Sequence, residues 1–228
     1  MTVFSEIAAR VAANLEGLED ALGEFSASLP LSKEWIQREV PLASSNPANP
    51  LLSGTKIALL EAGAAWAIGA NRGAASSIRA YIENAFAWLY YKDHPVEFRV
   101  VDIGRSELTM PKGVQSYLKQ VDGGFEKSYS VLAKCSMRGM ENEYFYSNVS
   151  QFLHAHPAFS SLAIKIEEYA ISSPRDMSFL KICRNVDEFI SDNFTAYYRS
   201  SWDDVPGIVQ KDVSSRLDKK LKEFLSIV

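Results

Sequence analysis

Tyr146, Ser150 and His154 follow one another at four-residue steps and carry a phenol, a hydroxyl and an imidazole. On a helix that spacing stacks them on one side, each about a turn from the next. They share the stretch YSNVSQFLHAHP with Val149, Phe152 and Leu153, so the polar stripe runs through otherwise apolar positions and needs partners once buried. Arg79 and Glu83, also four apart, lie on an earlier helical segment. Across a helix interface these five side chains would satisfy many of one another's donors and acceptors. The same atoms have two uses. As a buried network they fix helix register. As a catalytic set, the imidazole titrates near neutrality and works as a general base or acid, while the guanidinium holds a phosphate.

The other chemistry-bearing residues point to less. His154 and His156 are two apart and diverge on a helix, and no cysteine or carboxylate cluster accompanies them, so neither a metal site nor a cofactor is expected. His94, in KDHP, sits at a helix end, where an imidazolium favours the C-terminal dipole. There is no G-x-S-x-G elbow, and GANRG has neither the Walker nor the dinucleotide spacing. Trp66, Trp88, Tyr90 and Tyr91 offer aromatic lining for a small molecule between helices. Cys135 and Cys183 lie far apart and read as two reduced thiols of a cytoplasmic protein.

These residues must be carried by helices. A net charge of −4 makes the chain as a whole no magnet for nucleic acid, and 47% hydrophobic residues suffice for a substantial core. The most apolar stretch, residues 57–70, is too short to span a bilayer and contains Glu61, so no membrane segment is expected. Phe4, Ile7, Val11, Leu15, Leu18, Leu22 and Phe25 keep a helical period that predicts one helix closed by Pro30. Ser32 is a plausible N-cap for a short segment after it. The three prolines of residues 41–54 predict a loop. From Thr55 to His94 two helices, or one long bent one, are expected, with Gly69, Asn71 and Gly73 marking the joint. Residues 96–110 read as a short helix or an irregular connection. Two helical pieces separated by Gly123-Gly124 follow, and Pro157 stops the helix bearing His154. Phe179, Leu180, Cys183, Val186, Phe189, Ile190, Phe194 and Tyr197 predict a long helix broken at Pro206-Gly207. Val213, Leu217 and Leu221 continue the pattern with lysines opposite. The reading is an all-α fold, an antiparallel helical bundle with additional packed helices, in one domain over 1–228: N-terminal helices at 1–40, a core at 55–160 and C-terminal helices at 173–228.

The combination of SSIRAYIENAFAWLYY with the later YSNVSQFLHAHP resembles bacterial all-helical proteins of the HEPN superfamily, several of them associated with abortive infection and phage defence. The resemblance spans about residues 55–160 and rests on Arg79, Glu83, Tyr146, Ser150 and His154. It implies an antiparallel helical core, frequent dimerisation, and metal-independent RNA cleavage in which His154 and Arg79 act at the ribose hydroxyl and the phosphate. The chain departs from the family's ribonucleases at one point. An arginine five to seven positions before the histidine is absent, because Ser147, Asn148 and Val149 stand there. The expectation is therefore a binding, assembly or regulatory module of a defence or toxin–antitoxin system, working with a protein partner or as a homodimer. The alternative is a ribonuclease effector with RNA as its substrate.

Overall fold

The computed structural model describes residues 3–136, 175, 177–219 and 223. Among these the protein is all-α, with ten α-helices and no strand. It forms two compact units, one drawn from 1–29, 56–81 and 143–184, the other from 30–55, 82–142 and 185–228.

The N-terminal period is carried by two helices, α1 (Val3–Leu15) and α2 (Leu18–Ala27), where the sequence predicts one. Gly17 separates them at φ 67°, a left-handed conformation that a residue without Cβ adopts freely. The break leaves Phe4, Leu15 and Leu22 exposed, while Phe25 is buried. Pro30 opens a helix instead of closing one: α3 (Pro30–Leu42) begins there, since proline's fixed φ and missing N–H suit a first turn. The expected loop at 41–54 shrinks for the same reason. α4 (Asn49–Ala67) starts beside Pro50, and only a short turn, held by Asn46 Oδ1 accepting from Ala48 N at 2.9 Å, joins it to α3. α4 ends before Gly69 (φ 84°), and α5 (Asn71–Tyr91) follows, as expected. The ambiguous stretch contains a helix, α6 (Pro95–Asp102). α7 (Pro111–Val121) and α8 (Phe125–Lys134) flank the two glycines. After them come α9 (Ser178–Tyr198), a 3-10 segment (Arg199–Asp204) and α10 (Gly207–Arg216).

In the first unit, small residues let aromatic rings come close to backbone. Phe25 stacks on Trp66 at 6.2 Å, and a Cβ on Gly63 would lie only 2.9 Å from the Phe25 ring. Polar side chains here serve helix ends. Arg175 donates to the carbonyls of Ala67 (2.8 Å), Glu16 (3.1 Å) and Asn14, neutralising the negative ends of α1 and α4, and Asn14 Nδ2 donates to Ile68 O.

The second unit is organised around the later part of α9, buried on every side from Phe189 to Ala196. Its apolar faces take Phe86, stacked on Phe189 at 5.1 Å, and Trp35, 5.5 Å from Phe194. Its polar faces need partners and mostly have them. Asn193 Oδ1 accepts from Gln115 Nε2 (2.9 Å), and Asp192 accepts from Arg216 Nη2 (2.7 Å). α10 packs on α3, and α7 on α8. α3 and the later half of α9 run in the same direction, because Ser32 early in α3 pairs with Asp187 at the middle of α9, and Glu39 farther along α3 pairs with Tyr198 at the end of α9.

Candidate functional site

Arg79 and Glu83 are both half-buried on α5, one turn apart. Tyr146, Ser150, His154 and His156 lie outside the described residues. The described residues do assemble a different polar cluster, built on the stretch WLYYKDHP at the end of α5 (88–95).

Glu39 is its centre. The carboxylate is 1% exposed and takes three donors: Trp88 Nε1 at 2.8 Å, Tyr198 OH at 2.9 Å and Arg38 Nη1 at 2.5 Å. A buried carboxylate with this many donors is well satisfied, and truncating it would orphan all of them. Tyr198 extends the chain toward solvent, since its oxygen also accepts from Lys92 Nζ at 2.7 Å. Lys92 lies over the Tyr197 ring at 4.0 Å, and Tyr197 OH donates to Asp93 Oδ2 at 2.7 Å. Arg38 sits 4.3 Å from the centroid of the Tyr198 ring, which stacks on Trp35, and its Nε donates to the Asp204 carbonyl. Four parts of the second unit therefore meet here: α3, the end of α5, the end of α9 and the 3-10 segment.

His94 and its neighbours form an aromatic group beside the same helix end. The His94 ring lies parallel to Tyr90 at 4.2 Å and edge-on to Tyr117 at 4.9 Å. Its Nδ1 donates to the Tyr90 carbonyl at 2.7 Å, which puts the proton on Nδ1 and satisfies one of the last carbonyls of α5, the helix-end role its position suggested. Tyr90 OH donates to Glu97 at 2.6 Å, Tyr91 is buried against Thr109, and Trp66 stacks on Phe25 in the first unit.

Electrostatics follows contact. Burial pushes the Lys92 ammonium below its ordinary pKa, with Arg38 adding to the effect and Glu39 and Asp93 opposing it. Burial raises the Tyr198 and Tyr197 phenols, reinforced by Glu39 for the first and Asp93 for the second, so both stay protonated donors. The hydrogen bond to Glu97 pushes Tyr90 up to about 12.

Chemically, the arrangement is a Lys–Tyr–Glu chain with a half-exposed amine at one end and a buried carboxylate at the other. Sequence reasoning pointed to Trp88, Tyr90 and Tyr91 but not to Arg38, Glu39, Lys92 or Tyr198. The available signal was the density of aromatic and charged residues in EWIQRE (34–39) and WLYYKDHP, but nothing in it says that segments so far apart converge. No cluster of three or more His, Cys, Asp or Glu with metal-binding geometry occurs among the described residues, and none of their helices is long and apolar enough to cross a membrane. No protein-family model matches the chain, and no curated protein or solved structure matches it either.

Proposed function

We propose that the protein is a helical binding and assembly module of a bacterial defence or toxin–antitoxin system, acting through contact with a second copy of itself or a partner protein. The observation that carries the binding part is on α6. Val96, Val100 and Ile103, at helical spacing, are 72%, 42% and 62% exposed, while Phe98 on the other side is buried. An apolar stripe left in water on a helix whose opposite face is already packed is the mark of a protein-contact surface. The stripe carries both signs of charge beside it, Glu97 and Asp102 against Arg99, which suits pairing with a like helix. The defence setting rests on the resemblance of Arg79, Glu83, Tyr146, Ser150 and His154 to the HEPN pattern.

The test compares wild type, Val100→Lys and His154→Ala in bacteria challenged with phage, with cell growth, RNA integrity and sedimentation of the purified proteins as readouts. The module reading expects Val100→Lys to lose assembly and protection, and His154→Ala to keep both. Protection that disappears only with His154→Ala, together with RNA left intact by that variant, replaces it with the ribonuclease alternative. Wild type that neither assembles nor alters phage growth ends the reading.

A further inference from the structure

Two charges on α6 go unanswered among the described residues. Glu97 Oε2 accepts from Tyr90 OH at 2.6 Å, while the other carboxylate oxygen has no hydrogen bond there. Arg99 is exposed, and its guanidinium has neither a hydrogen bond nor an ion pair. The two cannot satisfy each other. At 3.6 residues per turn, side chains two positions apart point about 160° from one another around the helix. Between them runs the exposed stripe of Val96, Val100 and Ile103, so Glu97 flanks it on one side and Arg99 on the other. Phe98 points the opposite way and packs on Tyr91 at 5.5 Å, fixing which face of α6 is turned to solvent.

We propose that this face is covered by α6 of a second copy of the chain, lying parallel to the first, with Glu97 of each copy against Arg99 of the other. The proposal rests on the contact role of the stripe argued above, and adds its partner and orientation.

Symmetry decides the orientation. When two identical helices meet stripe to stripe and antiparallel, the twofold axis sets like flank beside like flank. Glu97 would then face Glu97, and Arg99 would face Arg99. When they meet parallel, the axis runs along the pair and sets each flank beside the unlike one. Glu97 and Arg99 of the second copy are then offset by two residues, about 3 Å of helix rise, which a guanidinium on its flexible stem spans. Val100 meets Val100 across the axis, and the contact is isologous, so each ion pair forms twice. α6 has only 8 residues, so this contact covers less than the roughly 800 Å² per partner of a standard interface. A reversible dimer in the micromolar range is expected.

Sedimentation equilibrium of the full chain at about 50 mM salt, where surface charges are little screened, is the test. Wild type should dimerise and Val100→Lys should not. Glu97→Arg and Arg99→Glu should each weaken self-association on the order of tenfold, since two attractions become two repulsions. An equimolar mixture of these two variants should associate to within about threefold of wild type, because each supplies the charge the other lacks. That recovery also shows that both variants fold. An antiparallel pair behaves differently: neither swap weakens it, and the mixture binds more tightly than wild type. That pattern overturns the proposed orientation. Swaps and mixture all without effect, with Val100→Lys still monomeric, overturn the charge pairing and leave the stripe as a contact surface. Wild type that stays monomeric at about 0.2 mM overturns the second copy as partner. A dimer that survives Val100→Lys removes the stripe itself, and with it the reading on which the proposal rests.

Discussion

The two ends of the α3–α9 seam solve one problem in opposite ways. At the start, Asp187 accepts from Leu31 N (3.0 Å), Ser32 N (2.7 Å) and Ser32 Oγ (2.5 Å), with no ion pair among the described residues. At the finish, Glu39 accepts from a guanidinium as well as from an indole and a phenol. For Asp187, burial outweighs the three neutral donors, and its carboxyl is pushed up to about 6. Asp122, which forms a bidentate pair with Arg199, is held below the ordinary carboxylate range by that contact. The two carboxyls shift in opposite directions because Asp187 is buried among neutral donors, whereas Asp122 is part-exposed and paired with a guanidinium.

The most damaging way to break the comparison is to remove what the two ends share. Trp35 is fully buried between them, against Phe194 and Tyr198, so Trp35→Ala should cost about 3–5 kcal/mol in urea denaturation. Glu39→Gln attacks the charged end alone. It keeps the shape but removes the charge facing Arg38, and about 2–3 kcal/mol should be lost in the same measurement. Asp187→Asn at the neutral end should change stability near neutral pH by only about 1 kcal/mol, since the charge removed was not favoured there. Its signature is in pH. Asp187 binds its proton more tightly folded than unfolded, where the pKa is ~3.9. Between about pH 4 and 6 the folded state thus keeps a proton that the unfolded state has released, and wild-type stability falls as pH rises through that window, by at most about 1.4 kcal/mol per unit, before levelling off. The wild-type minus Asp187→Asn difference should show this slope. A flat difference would mean that the three donors hold Asp187 ionised after all.

Helix type was legible where packing was strong and local chemistry agreed. Val186, Phe189, Ile190 and Phe194 announce α9 because a buried helix must repeat apolar residues at its own period. Its end was not legible: α9 stops at Tyr198, and Ser201 leaves helical geometry (φ −123°, ψ 52°) well before Pro206. Tyr198 is spent on Glu39, and Arg199 turns to Asp122 past Gly124, where a Cβ would meet the guanidinium. Neither partner is near in sequence. Likewise, the stripe from Phe4 to Phe25 reads as one surface until Gly17 takes a left-handed turn and divides it.

By itself the sequence determined the class and most of the elements: helices, their apolar faces, and a joint within residues 69–73. Those are properties of neighbours a few residues apart, set by backbone sterics and periodicity. Only the tertiary structure decided which polar groups became buried and which partners they met. Glu39 and Lys92 are ordinary surface residue types in the sequence, more than fifty positions apart, and their chemistry arises when α3, α5 and α9 remove water from around them and place Tyr198 between. Desolvation belongs to the assembled unit, and a linear pattern carries no term for it.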